Sequence, residues 1–119
     1  MTEFSFPFVS VASSGGEYFQ VSFENDPDSD SAYFTIQRQF ESYDGGLFYI
    51  ESHERTLCGH FKIRSAHLGR DTFRLELACK PVETIQIRFQ ADTARYHELR
   101  RFLTIMIPPE VLKIRPFAP

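Results

Sequence analysis

The sequence has 119 residues, of which 42% are hydrophobic and 24% are charged, so a disordered chain is excluded and a single domain over residues 1–119 is predicted. Its formal net charge of −3 predicts no general attraction to phosphate backbones or anionic lipid, and it favours a basic partner over an acidic one. The 13 phenylalanines and 5 tyrosines, with no tryptophan, favour β structure with large buried side chains.

The chain carries no signal for export or membrane insertion that we can identify. Its apolar runs are shorter than the ~20 residues that a membrane span needs. Residues 1–11 contain Glu3 and lack the lysines or arginines of a secretory signal. Cys58 and Cys79 form no CxxC pair, which favours free thiols in a reducing compartment. We therefore expect a cytoplasmic protein without a membrane partner.

Alternating hydrophobic residues predict strands from the start of the chain. Phe4, Phe6 and Phe8 share one parity in residues 4–11, and Pro7 favours a sheet edge because proline cannot donate to a ladder on both sides. A glycine-containing turn at residues 13–16 separates this strand from a second one at residues 18–23.

An acidic segment follows the second predicted strand. Asp26, Asp28 and Asp30 are spaced like the first ligands of a calcium loop. Such a loop also needs a glycine at its sixth place and a glutamate at its twelfth, where this sequence has Ser31 and Gln37. Residues 24–30 are therefore predicted to be a solvated acidic loop that holds no metal.

Three further strands are predicted in the middle of the chain, at residues 33–40, 47–51 and 57–63. Asp44, Gly45 and Gly46 form a turn between the first two, since glycine tolerates positive φ. Residues 66–71 are predicted to be a connection. Residues 72–79 and 83–89 then alternate again and predict a hairpin.

One amphipathic helix is predicted after the hairpin, with Asp92 as its N-cap. An apolar arc on the helical wheel is formed by Tyr96, Leu99, Phe102, Leu103 and Met106. Pro108 and Pro109 end the helix, and residues 111–114 form a short strand or pack across an edge. The predicted fold is α+β: a mainly antiparallel sheet of six or seven strands with one C-terminal helix packed on it.

Motifs that would indicate catalysis are weak. His53, His60 and His67 lie seven residues apart, but a structural zinc site would need paired ligands two to four residues apart, twice. A Cys58–His60 nucleophile pair has no identifiable oxyanion loop. We predict no catalytic residue, no cofactor and no metal site.

Nucleic-acid binding is also not predicted. The helix has a basic face at Arg95, Arg100 and Arg101, which we interpret as solvated. Aromatic residues on the predicted strands could imitate an RNA-binding sheet, but the acidic balance opposes it.

From residue 33 onward the sequence resembles a family of bacterial immunity proteins, the tenth named class that protects cells against polymorphic toxins. The resemblance lies in residues 33–38 (Tyr-Phe-Thr-Ile-Gln-Arg), the Asp-Gly turn at residues 44–46, residues 48–51 (Phe-Tyr-Ile-Glu), Gly59, the hairpin and the charged helix. It covers residues 33–107. It implies a small cytoplasmic protein that neutralises a cognate protein toxin by direct binding and has no catalytic residue.

The leading hypothesis is therefore a non-enzymatic binding protein. Its candidate contact residues are the acidic Glu24, Asp26, Asp28 and Asp30, because their carboxylates would meet the basic groove of a nuclease toxin. Gln37 and Arg38, a distinctive pair within the resemblance, are candidate contacts as well. A first alternative is a small-molecule-binding or enzymatic domain with a pocket between helix and sheet, ringed by Arg38, Glu51 and His60. A second alternative is a structural homodimer formed by pairing of the edge at residues 4–11.

Overall fold

The computed structural model describes residues 2–26, 32–40, 46–79 and 81–115. The elements in this part of the chain are, in order, β1 (Thr2–Phe6), β2 (Phe8–Ser14), β3 (Tyr18–Glu24), β4 (Tyr33–Gln39), β5 (Phe48–Ser52), a 3₁₀ turn (Arg55–Leu57), β6 (Gly59–Phe61), β7 (Ile63–Leu68), β8 (Thr72–Leu77), β9 (Glu83–Phe89), α1 (Thr93–Met106) and β10 (Leu112–Ile114). The predicted contact residues Asp28 and Asp30 lie outside the described residues.

The strands form two five-stranded sheets. Sheet 1 has the order β2-β3-β4-β5-β6 and is an antiparallel meander. Sheet 2 has the order β1-β9-β8-β7-β10, in which β7, β8 and β9 are antiparallel while β1 and β10 join the two flanks in parallel. The prediction of an α+β fold with mainly antiparallel strands is confirmed. The predicted number of strands is corrected, because ten strands in two sheets replace six or seven in one.

The number of strands differs because two stretches, each predicted as one alternating strand, divide into two strands that join different sheets. Pro7 lies between β1 of sheet 2 and β2 of sheet 1, and Lys62 lies between β6 of sheet 1 and β7 of sheet 2. At Pro7 the alternation changes phase, so Phe6 is buried while Phe8 is 49% exposed and Val9 takes the inward position. The single strand predicted at residues 4–11 is therefore two strands, and Phe8 does not share a face with Phe6, although both strands do lie at sheet edges.

The connection predicted at residues 66–71 is also corrected. Strand β7 continues to Leu68, where Ala66 and Leu68 alternate with exposed His67 and pair with β8 on one side and β10 on the other. A small residue such as Ala66 can fill an inward position of a strand that is closely packed on both sides. A pattern based on the alternation of large hydrophobic residues does not identify such a position.

The core lies between the two sheets. Phe23 of sheet 1 stacks on Phe73 of sheet 2 with ring centroids 6.0 Å apart, and its ring lies 5.6 Å from that of Phe89. Phe4 of sheet 2 reaches Phe34 of sheet 1 at 5.9 Å. Because these rings come from facing strands, burial of their apolar area holds the sheets together.

Helix α1 closes the sandwich beside β2 and β3. The Arg95 N–H donates to the Asp92 carboxylate at 2.7 Å, which confirms Asp92 as the N-cap. The predicted apolar arc is the buried stripe of the helix. Phe102 meets Phe19 of β3 at 5.7 Å, and Arg70 donates to the Ala91 carbonyl at the start of the helix at 2.7 Å. Among the described residues, no helix is both long and apolar enough to cross a membrane.

Candidate functional site

The outer face of sheet 1 carries a group of polar side chains that are joined by hydrogen bonds. Inward positions of β3 and β4 hold fully buried apolar residues, so the alternate positions point outward. The strand register places these outward residues in rows: Phe8, Glu24 and Tyr33; Ser10, Ser22, Thr35 and Glu51; and Ala12, Gln20, Gln37, Tyr49 and His60.

Gln20 is the centre of a hydrogen-bond network on this face. Its side-chain oxygen accepts hydrogen bonds from the Tyr18 hydroxyl at 2.5 Å and from the Gln37 amide at 3.0 Å. Its own amide donates to the Ser22 hydroxyl at 3.0 Å, and the Ser22 and Thr35 hydroxyl oxygens lie 3.2 Å apart. Because each of these side chains is already held by its neighbours, a partner that bound here would lose little affinity to the entropy cost of fixing side chains on this face.

Short side chains form the middle of the outer face of sheet 1, and aromatic side chains border it. Ser22 and Thr35 point outward yet are only 3% and 7% exposed, and their hydroxyls belong to the network around Gln20. Phe8 at 49% exposure and the half-buried Tyr33 border this area at one end. Exposed aromatic rings beside small polar groups are typical of surfaces that bind proteins.

Tyr49, Glu51 and His60 form the part of this face nearest to β6. The Tyr49 hydroxyl donates to a Glu51 carboxylate oxygen at 3.3 Å, and the Tyr49 and His60 rings are 5.2 Å apart. The negative charge of Glu51 is the main cause that raises the pKa of Tyr49, and desolvation adds to it. Burial raises the pKa of Tyr18. Both phenols therefore stay protonated near neutral pH and serve as hydrogen-bond donors.

The charge of the outer face of sheet 1 is negative. Glu24 and Glu51 lie in its rows, and Asp26 is exposed just beyond the end of β3. Within the described residues, the rows contain no lysine or arginine. This potential would repel phosphate groups and attract a basic surface.

The structure brings only some of the predicted contact residues together. Glu24 and Gln37 lie on the outer face of sheet 1, and Asp26 lies at its edge. Arg38 has the opposite parity to Gln37 and points to the other side of the sheet. Its guanidinium lies 4.8 Å from the ring centroids of both Phe40 and Phe48.

Arg38 also reaches the end of the helix. Its guanidinium donates to the Met106 carbonyl at 2.5 Å, in the last turn of α1. A cation at this position suits the partial negative charge of a helix C-terminus. Arg38 therefore links sheet 1 to α1. The ring of Arg38, Glu51 and His60 considered for a small-molecule pocket is not formed, since Glu51 and His60 lie on the outer face.

The histidines considered for a metal site are also separate. The Tyr33 N–H donates to the His53 imidazole at 3.0 Å, and the His53 ring packs on Phe4 at 5.2 Å. His60 lies on the outer face of sheet 1, whereas His67 lies on sheet 2. Among residues 2–26, 32–40, 46–79 and 81–115, no group of three or more histidine, cysteine or acidic side chains could hold a metal ion.

The prediction from sequence missed Tyr18, Gln20 and Tyr49. Part of their signal was present, because Tyr18 and Gln20 occupy the polar parity of the strand predicted at residues 18–23. The network itself depends on which strands are neighbours and in what register, and residue spacing within one strand does not carry that information.

Comparison with protein-family models, with curated proteins and with solved structures found no match to this chain. The resemblance to immunity proteins remains a prediction from the residues that carry it. The function has to be inferred from the geometry of the site.

Proposed function

We propose that this chain is a non-enzymatic binding protein that holds a basic protein partner on the outer face of sheet 1. The observation that supports this most is the network around Gln20, which fixes polar side chains of β3 and β4 in place before any partner arrives. The finer proposal, which draws on the family resemblance, is that the partner is a toxin and that binding neutralises it.

A protein fits this face better than a small molecule. Strands of up to seven residues and a spacing of ~4.8 Å between strands give a face of roughly 20 by 20 Å, on the order of 400 Å² before side-chain relief. A standard interface buries about 800 Å² per partner, so the acidic border at Glu24 and Asp26 would also have to take part.

The expected energetics are uneven across the face. Aromatic side chains contribute most to the affinity of an interface, which singles out Tyr33 and Tyr49. The carboxylates of Glu24 and Asp26 lie at the border of the face, so they would increase the rate of association more than the lifetime of the complex.

The test places a photo-activatable phenylalanine analogue at Tyr49 in one chain and at Arg88, on the outer face of sheet 2, in a matched control chain. A protein that cross-links through Tyr49 in the source cells is identified, produced alone and titrated into the purified chain by calorimetry. We expect a positively charged protein that arrests growth when expressed alone. Tyr49→Ser should weaken its binding about tenfold or more.

The acidic segment has a separate test with the same partner. Replacing Asp26, Asp28 and Asp30 with serine should weaken binding, and more strongly at low salt. A partner captured equally through Arg88, or one whose affinity Tyr49→Ser leaves unchanged, would overturn the assignment to this face. A partner that binds through Tyr49 but does not harm growth would overturn the toxin proposal alone.

A further inference from the structure

The charge of this chain is divided between its two halves. Residues 1–54 contain ten carboxylates and one arginine, whereas residues 55–119 contain six carboxylates and twelve lysines or arginines. The first half supplies most of sheet 1, and the second half supplies β7, β8, β9, β10 and α1. The net charge of −3 therefore hides a strongly basic side of the molecule.

A surface groove of about 450 Å³ lies on this basic side, where β10 flanks sheet 2. The strand register places Lys113 opposite His67, His67 opposite Arg74 and Arg74 opposite Gln86, so that these residues form one cross-strand row on the outer face. Arg115 lines the same groove.

A second groove, of about 410 Å³, continues the first along α1. It is lined by His97, Arg100, Arg101 and Thr104, and the two grooves share Ile114. We call the two grooves together the basic track. Arg100 and Arg101 are exposed on the side of the helix opposite its buried stripe.

The cations of the basic track are available to a ligand. Within the part of the chain that the structure describes, none of them takes part in an ion pair. Two nearby carboxylates are already engaged: Asp92 caps the helix, and Glu98 lies 3.4 Å from Arg95. Two other carboxylates lie on the outer face of sheet 2: Glu3 is next to Gln86 at the far end of the row, and Glu76 follows Arg74 two residues along β8. The five arginine and lysine side chains of the track outnumber them.

We infer that the basic track binds the phosphodiester backbone of a single-stranded nucleic acid. A strand that carries a charge on every nucleotide could follow Arg74 and Lys113, which lie two strands or about 10 Å apart across β7, and then the arginines of α1. Arginine, lysine, threonine and glutamine side chains, all present here, are those that contact phosphate oxygens.

Binding on this track should be independent of base sequence. The residues that line the two grooves include no phenylalanine or tyrosine on which a base could stack. Because the track lies on sheet 2 and α1, it is separate from the outer face of sheet 1. Failure of one proposal therefore leaves the other standing.

The test uses the full chain and a fluorescein-labelled 12-nucleotide oligothymidylate, with binding followed by fluorescence anisotropy. Five cations on the track predict a slope of log K against log salt of about −3.5, or roughly a hundredfold loss of affinity between 50 and 200 mM NaCl. Arg74→Ser with Lys113→Ser should weaken binding about tenfold at 50 mM and bring the slope to about −2.1.

A matched control removes two exposed charges elsewhere, with Arg55→Ser and Lys62→Ser, and should change affinity less than about twofold. Circular dichroism checks that both variants are folded. Equal weakening by the two pairs, or no saturable binding at 50 mM NaCl up to about 100 μM chain, would overturn the inference. So would competition by a 12-residue polyglutamate as effective as that by unlabelled oligothymidylate, which would assign the track to acidic peptides.

Discussion

Replacing Arg38 with methionine should destabilise the fold without affecting the outer face of sheet 1. The guanidinium lies between the rings of Phe40 and Phe48 and donates to the Met106 carbonyl. Methionine keeps most of the apolar stem but loses the charge, both ring contacts and the hydrogen bond.

The magnitude follows from these contacts. Each ring contact is worth ~0.5–1 kcal/mol, and a hydrogen bond from a charged donor ~1.5–3 kcal/mol. Ordering the side chain costs about the same for methionine as for arginine, so this entropy largely cancels between the two. The net loss for Arg38→Met is therefore about 3 kcal/mol, or a decrease in Tm of ~9–15 °C for a chain of this size. Arg38→Lys, which keeps the charge but not the planar group, should lose about half as much.

Urea denaturation followed by circular dichroism measures this effect, with Arg55→Met as the control. Arg55 is exposed in the 3₁₀ turn, so its replacement should change the free energy of unfolding by less than about 0.5 kcal/mol. If Arg38→Met unfolds at the same urea concentration as the wild type, or if both variants lose the same stability, Arg38 does not join sheet 1 to α1 as described.

Phe23→Ala should lower the free energy of unfolding by about 3–5 kcal/mol because it opens a cavity between the two sheets, whereas Phe8→Ala, at a 49% exposed position, should change it by less than about 0.5 kcal/mol. Similar urea midpoints for the two variants would contradict the change of phase at Pro7. Glu51→Gln should lower the pKa of Tyr49 towards its ordinary value, since it removes the charge that opposes ionisation of the phenol, and Glu54→Gln should not. Carbon-13 NMR titration of the tyrosine rings measures both, and an unchanged Tyr49 in Glu51→Gln would show that another group raises its pKa.

Helix α1 was predictable from the sequence because its determinants are local. Asp92 and the apolar arc lie within fifteen residues of one another, and side chains three and four positions apart must share a helix face. The strands were predictable as alternating segments for the same reason.

The division into two sheets was not predictable in this way. Alternation reports that a strand has one buried face, but it does not report which sheet the strand joins. The stretch around Pro7 shows this most clearly, because one proline moves the chain from sheet 2 to sheet 1 and exposes Phe8. The basic track was missed for a related reason, since a net charge averages over surfaces that the fold keeps apart.

The pairing of β1 with β9 has a consequence for biosynthesis. Phe4 lies opposite Ile87, so β1 cannot pair until β9 has been synthesised, whereas β2 to β6 can pair through neighbouring hairpins. The hydrophobic β1 segment would therefore stay unpaired while the residues between β1 and β9 are translated. Pulsed hydrogen exchange during refolding should show amides of β3 and β4 shielded earlier than those of β1; simultaneous shielding would mean that the two sheets condense as one.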